Sequence, residues 1–329
     1  MGVTAAVLAI DAGNSKTDVA LVGPDGSVLG SAREKVGFQP PKVGVAAAVE
    51  ALAGPVAAAL EAARIAGRPV DEVAEVSACL ANADLPVEEA ELTAALHARG
   101  WGRTTVVRND TFALLRAGVD EPRGVAVVCG AGINCVGMLP DGRTARFPAI
   151  GKISGDWGGG MGLAEESLWA GARAEDGRGE PSALARTLPG HFGLGSMAEL
   201  IEALHRRTLP YARVHELTPV LFATSAGGDP VAAALVHRLA EEVVAMASVT
   251  LDRLGLLADE VPVVLGGSVL AARHPELDAR ITALLAARAP KAVPRWLTAP
   301  PVLGAALLGL DRVGAPPEAR ARVREHYGM

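Results

Sequence analysis

The chain alternates short apolar runs with glycine- and proline-bearing turns, and these runs set the predicted elements. Val7-Leu8-Ala9-Ile10 has the composition of a buried strand, and Val19–Val22 makes a second. After the turn signal Pro24-Asp25-Gly26, Ser27–Ala32 returns as a third strand. This meander is not a βαβ dinucleotide-binding opening, which would place a helix after the first strand. Residues 43–66 predict a helix with its break at Gly54-Pro55. A strand over 72–80 follows, then a helix over 87–99 and a strand over 104–107 that ends at Asn109-Asp110.

The pattern restarts at Val125–Val128. A tight turn, Gly130-Ala131-Gly132, follows that strand, and Val136–Leu139, Pro140-Asp141-Gly142 and Arg143–Phe147 form another hairpin. Strand, polar or glycine turn, strand, PDG turn, strand thus occurs twice, which predicts two related domains that each open with a β-meander. Residues 163–175 read as a helix, 176–195 as irregular, and 197–255 as mostly helical. Val261–Leu265 is a buried strand ending in Gly266-Gly267-Ser268 and followed by a helix. Pro300-Pro301 leads into a small-residue helix at Gly304-Ala305-Ala306. The class is α/β.

At 329 residues the chain has room for two domains. Half of it is hydrophobic but only 3% is aromatic, so Ala, Val and Leu must build the core. The net charge of −6, with no uninterrupted basic run, excludes nucleic acid as a main partner. Cys79, Cys129 and Cys135 do not form a disulfide framework and read as buried thiols of a reducing cytoplasm. Val3–Ile10 lacks a basic leader and is ended by Asp11, so it reads as a strand rather than a signal peptide. No apolar run is expected to reach the ~20 residues of a membrane span. There is no HExxH, no GxxxxGK[ST] loop and no close pair among the seven His.

Candidate chemistry lies at the strand ends. In Asp11-Ala12-Gly13-Asn14-Ser15-Lys16-Thr17-Asp18, Gly13 allows close backbone approach, Ser15, Thr17 and the amides can donate to phosphate, and Lys16 adds charge. Asp11 can hold Mg²⁺ through water. A polar hairpin turn explains the same residues. Asp110 can serve as a general base toward a hydroxyl or as the cap of a helix over 111–117. Gly130-Ala131-Gly132-Ile133-Asn134 can face phosphate or be a plain hairpin loop. Gly266-Gly267-Ser268 can floor an adenine ring, though such turns occur in many folds. The run SGDWGGGMG, residues 154–162, is five-ninths glycine with an acid and a tryptophan inside it. It is not a dinucleotide fingerprint, because its Asp156 precedes the glycines and no βαβ unit encloses them.

The order DAGNSKTD, RNDTFALLRAG, GAGINC, GDWGGG and then Gly-Gly-Ser resembles the actin/hexokinase/Hsp70 superfamily. Within it the chain resembles the BadF/BadG/BcrA/BcrD ATPase family and its N-acetylglucosamine kinase branch, over nearly its whole length. The resemblance implies two RNase-H-like (actin-like ATPase) domains with an interdomain cleft, over 1–118 and 119–311, and a C-terminal helix over 312–329 packing back on the first domain. It implies an ATP- and Mg²⁺-dependent kinase of a sugar or amino sugar. It also implies a cytoplasmic homodimer, with no nucleic acid or membrane partner. Carried over by position, Asp11, Gly13, Asn14, Ser15, Lys16 and Thr17 match the first phosphate loop, and Asp110 the catalytic base. Gly130, Ala131 and Gly132 match the second phosphate loop, and Gly266, Gly267 and Ser268 the adenosine motif. Gln39, Asn109, Asn134, Gly151, Asp156 and Trp157 join Asp110 on the sugar side. Trp157 stands where the family usually has Glu, Pro148–Gly151 replaces a Gly-Gly-Trp-Gly, and Gly37–Pro40 sits where an Asn is usual. Trp157 is a platform for a sugar ring or a packing residue. Two other activities belong to related proteins: activation of a radical dehydratase through a cysteine-held iron–sulfur cluster, and non-enzymatic sugar sensing. The cysteines here do not match the first.

Overall fold

The computed structural model describes residues 3–329. The chain begins with strands β1 (Val3–Ala12), β2 (Thr17–Val22) and β3 (Val28–Glu34), followed by helices α1 (Pro40–Val43), α2 (Val45–Ala51) and α3 (Ala53–Ile65). Next come β4 (Val70–Leu80), α4 (Pro86–His97), β5 (Thr104–Asn109) and α5 (Asp110–Gly118). A second meander comprises β6 (Gly124–Cys129), β7 (Ile133–Met138) and β8 (Thr144–Arg146). Five helices follow: α6 (Gly159–Asp176), α7 (Leu184–His191), α8 (Met197–His205), α9 (Leu217–Ala226) and α10 (Pro230–Arg253). The chain ends with β9 (Val261–Gly266), α11 (Ser268–Ala271), α12 (Pro275–Arg288), β10 (Ala292–Trp296), α13 (Pro301–Arg312) and α14 (Pro317–His326).

Two five-stranded sheets share one plan, β3-β2-β1-β4-β5 and β8-β7-β6-β9-β10. In the first, β1 pairs antiparallel with β2 and parallel with β4, and β4 pairs parallel with β5. The repeat visible in the sequence is therefore a repeat of topology. The chain divides into two compact units. One takes residues up to Ala126, Val136–Pro148 and Leu297–Met329, and the other Val127–Cys135 and Ala149–Trp296.

In the first unit Leu8, Ile10, Leu21, Leu52, Val56, Ala59, Leu92 and Leu96 close one core around the sheet. Burying each of these Leu, Ile and Val side chains contributes roughly 1.5–3 kcal/mol. Gly304 of α13 lies so close to α5 that a Cβ there would come within 1.7 Å of the Ala113 carbonyl oxygen. Arg116 of α5 is fully buried and its Nε donates to Asp311 at 2.7 Å. α5, which carries Asp110, is thus fixed by a glycine contact and a half-buried ion pair. Arg324 of α14 donates to the Ala117 carbonyl, and Gly26 lies against Ala319.

Four expectations change. The helix over 43–66 breaks at Gly44 and Leu52, not at Gly54-Pro55. Pro55 lies in the first turn of α3, where a missing N–H costs no helix bond. The stretch Val45–Ile65, 21 residues long with an 18-residue window of mean hydropathy 1.5, is also long and apolar enough in composition to cross a membrane. Its Ala48, Val49, Val56, Ala59 and Ala63 pack into the core of the first sheet. The region 176–195, expected to be irregular, contains α7, with Pro189 and Gly190 near its end. Finally β10, which the pattern did not predict, extends the second sheet beside β9.

Candidate functional site

The predicted residues gather in two groups, one in each unit. In the first unit the parallel strands β1, β4 and β5 end in register. Asp11 lies beside Cys79, Ala12 beside Leu80, and Leu80 beside Asn109. Carboxyl ends of parallel strands are where open α/β sheets bind ligands. The loop after β1 closes with a Gly13 N–H to Lys16 O bond of 2.9 Å. It is braced from two sides. Gln39 Nε2 donates to the Asn14 carbonyl at 2.9 Å, and Asn82 Nδ2 donates to Asn14 Oδ1 at 3.0 Å and to the Phe38 carbonyl at 2.9 Å. A Cβ at Gly37 would come within 2.3 Å of the Asn14 carbonyl oxygen, so the 37–39 segment depends on that glycine. Thr17 is buried and its hydroxyl donates to the Val36 carbonyl at 2.8 Å. Ser15 and Lys16 are exposed, and Lys16 Nζ is 3.6 Å from Asp18.

Asp11 is only 7% exposed and sits directly across the β1–β2 pair from Asp18. Burial, and then the charges of Asp110 and Asp18, push its carboxyl up to about 8 against the pull of Lys16 and Arg33. Asp18 is itself paired with Arg33, whose Nη2 donates at 3.2 Å. Asp110 opens α5. Burial pushes its carboxyl up to about 6, opposed by the amides of Thr111 and of Asp110 itself. The cap of α5 is Asn109, whose Oδ1 accepts from the Thr111 amide at 2.9 Å. Asp110 is therefore not the cap, which removes that reading of it. Asn109 is 2% exposed. Its Nδ2 donates to Asp84 at 2.8 Å, and its amide donates to Glu89, which also pairs with Arg146.

In the second unit three glycine turns stack on one another. Gly130-Ala131-Gly132 closes with a Gly130 N–H to Gly132 O bond of 2.9 Å. The start of α6 sits on it, with the Gly160 amide donating to Gly130 O at 2.7 Å and the Met161 amide to Ala131 O at 3.2 Å. A Cβ at Gly159 would come within 2.5 Å of Gly132 Cα, and Gly158 and Gly159 both have positive φ. Likewise a Cβ at Gly267, φ +85°, would lie 2.4 Å from Cys129 O. The glycines of residues 158–160 thus serve the second phosphate-loop candidate by letting a helix start rest on it. Thr218 Oγ1 holds this start by donating to Gly160 O at 2.6 Å.

Gly130, Ala131, Gly160 and Ser268 line a cavity of about 460 Å³ together with Phe222 and His274. These two rings stack at 3.7 Å with an interplanar angle of 1°, and burial holds His274 below the ordinary imidazole range. A second cavity, of about 280 Å³, is lined by Gly151, Lys152, Asp156, Trp157, Glu165 and Glu166. Asp156 Oδ2 accepts from the Gly151 amide at 2.8 Å and from Ser154 Oγ at 2.7 Å, which ties the 151–156 loop into a ring. Trp157 carries the Arg238 guanidinium at 4.1 Å from its ring centre. Asn134 lies on β7 and accepts from the Cys135 amide.

Sequence reading missed Asn82, the close approach of Gly37 to the Asn14 carbonyl and the Phe222–His274 stack. Asn82 carried a signal: an Asn just past a strand, which tolerates the positive φ of 60° it adopts. The ring pair joins residues 52 positions apart, Phe222 on α9 and His274 just before α12, with no distinguishing motif.

Among the described residues no three His, Cys, Asp or Glu side chains cluster as a metal site. Asp11 nevertheless fits a hydrated Mg²⁺: it is a buried carboxylate under repulsion from two others, and a divalent cation relieves that repulsion.

A model of the BadF/BadG/BcrA/BcrD ATPase family matches residues 8–309. An N-acetylmuramic acid/N-acetylglucosamine kinase of Clostridium acetobutylicum is 24% identical over 204 residues, covering 62% of this chain and 67% of that protein. An N-acetyl-D-glucosamine kinase of Dictyostelium discoideum is 26% identical over 208 residues, covering 62% of this chain and 65% of that one. The chain thus spans about two thirds of the length of these curated relatives. The fold matches that of a crystal structure from Chromobacterium violaceum, a candidate N-acetylglucosamine kinase. Its TM-score is 0.70 at 22% identity, covering 92% of this chain and 98% of that one. With a match that takes in all of both sheets except the start of β1, this chain belongs to the BadF/BadG/BcrA/BcrD ATPase family.

Proposed function

We propose that the protein is an ATP-dependent kinase that phosphorylates a hydroxyl of a sugar or amino sugar. The observation that carries this reading is Asp110. It stands just past the end of β5, at the first position of α5 rather than at its cap, next to the register that holds the Asp11 loop, and with its carboxyl at about 6. Such a group is ionised at neutral pH yet basic enough to take a proton from an attacking hydroxyl. The proton passes from the sugar hydroxyl to Asp110 as the oxygen attacks the γ-phosphorus in line, and ADP leaves. Lys16 and the amides of the 13–17 loop are the donors that neutralise developing charge on the phosphate. Bound Mg²⁺, held by Asp11 through water, would add its charge to that neutralisation. Gly130 and Ala131 are suited to approach phosphate, and the cavity between them and the Phe222–His274 stack suits the nucleoside, with Gly266, Gly267 and Ser268 as its floor. Gln39, Asn109, Asn134, Gly151, Asp156 and Trp157 are assigned to the sugar side.

The curated relatives act on N-acetylated amino sugars, which supports an amino sugar among the substrates. A homodimer and a cytoplasmic location complete the reading and rest on family resemblance. The radical-dehydratase activator gains no support, since Cys79, Cys129 and Cys135 are all buried. The test is a coupled ADP-release screen over hexoses, amino sugars, N-acetyl sugars, cyclitols and anhydro sugars with Mg-ATP. Saturable turnover with at least one sugar is expected. ADP release that no sugar stimulates would refute the proposal.

A further inference from the structure

Trp157 has two neighbourhoods. It lines the 280 Å³ cavity beside Asp156, and the Arg238 guanidinium of α10 lies over its ring at 4.1 Å. Arg238 does not line that cavity, so one face of the ring is taken by a group outside it. The indole N–H is buried with no partner among the described residues, so no hydrogen bond explains where the ring lies. A ring fixed by a cation stacked on it, with a carboxylate beside it in the cavity wall, is suited to offer flat apolar surface to a ligand. The cavity is near the lower end of ligand-pocket volumes, about 300 Å³, and suits a single sugar ring. Its polar wall is lopsided. Asp156, Glu165 and Glu166 stand against one ammonium, Lys152, which lies 3.8 Å from Glu166. Glu165 is held in place by the Tyr211 hydroxyl at 2.9 Å.

We infer that Trp157 is the specificity-determining platform of the acceptor subsite. It stacks on the apolar face of a pyranose while Asp156 accepts from a hydroxyl. The carboxylate wall admits neutral and ammonium-bearing hexoses and rejects sugars that carry a carboxylate. The identity of the bound sugar as phosphoryl acceptor rests on the kinase reading, but the binding itself does not.

Two measurements separate the two. The first is tryptophan emission during titration with glucose, glucosamine, N-acetylglucosamine and muramic acid. In the wild type at least one of the first three saturates the signal and muramic acid does not, and Trp157→Phe removes most of the change. The second is steady-state kinetics on Trp157→Ala, Trp157→Phe and Arg238→Ala. Loss of a stacking surface raises KM for the sugar by about tenfold in Trp157→Ala. Trp157→Phe keeps most of the affinity, Arg238→Ala falls between, and KM for ATP stays within about twofold throughout. If Trp157→Ala does not fold, Arg238→Ala carries the same test. Saturable binding without turnover by any sugar refutes the kinase reading and leaves the platform standing. Turnover with an unchanged sugar KM in Trp157→Ala, or in Arg238→Ala where Trp157→Ala does not fold, overturns the platform. Muramic acid binding as tightly as glucosamine overturns the charge selection.

Discussion

Three glycines of the single run SGDWGGGMG carry different physical roles, and alanine at each separates them. Gly162 lies inside α6 with an ordinary φ, and nothing lies within 4 Å of where a methyl group would sit. Alanine there gains helix propensity, about 1 kcal/mol. Gly155 has φ +86° and open space around it, so alanine costs only the left-handed conformation, about 1–2 kcal/mol. Gly159 has φ +75°, and its Cβ would lie 2.5 Å from Gly132 Cα and 2.6 Å from Ala131 O. Both atoms are backbone and cannot rotate away. Overpacking adds about 1–3 kcal/mol to the conformational cost, for roughly 2–5 kcal/mol in all. At about 2–4 °C per kcal/mol for a domain of this size, Gly159→Ala should lower the thermal midpoint by about 10 °C. Gly155→Ala should lower it by a few degrees, and Gly162→Ala should hold or raise it. Differential scanning fluorimetry on the three purified variants reads the order directly. Gly159→Ala should also raise KM for ATP, because the 130–132 turn must move to admit the methyl group. A Gly159→Ala variant as stable as the wild type, or a Gly162→Ala loss equal to it, would refute the stacked-turn account.

Two further predictions concern titration and thiols. Asp110 must be ionised to act as a base, and burial raises its carboxyl to about 6. With Mg-ATP saturating, the acid limb of kcat/KM for the sugar should therefore have its midpoint near pH 6, with activity lost below it; a midpoint near pH 4 would show an unperturbed carboxyl. Cys79, Cys129 and Cys135 are buried, and burial pushes the last two up to about 12. A disulfide-exchange reagent should label the native protein far more slowly than the urea-unfolded chain, and rapid native labelling would contradict their placement.

The sequence made the two meanders legible because their turns use residues with one meaning: Pro-Asp-Gly at 24–26 and 140–142, Gly-Ala-Gly at 130–132. Strand ends could be read for the same reason, since each buried run stops at a polar residue or a glycine. β10 escaped because its run is short, alternating and contains Pro294, all marks of an edge strand whose signal is weak. α7 escaped because Pro189 and Gly190 sit inside its last turn, where they read as a loop. The packing of Gly158–Gly160 on the 130–132 turn could not be read. It depends on a turn some 30 residues earlier, and only folding reveals which backbone a glycine must approach. Asp110 reads equally as a cap or a base in the sequence, because only the folded turn shows that Asn109 Oδ1 accepts from the Thr111 amide.

The most direct measurement of the central claim is the steady-state rate and ATP affinity of Asp110→Asn. The substitution keeps the shape of the side chain and removes its ability to accept a proton. Sugar-dependent ADP release should fall by roughly 10²–10⁴, while calorimetric Mg-ATP affinity stays within about twofold. An Asp110→Asn enzyme that turns over at the wild-type rate would contradict the assignment of the base and, with it, the proposed mechanism.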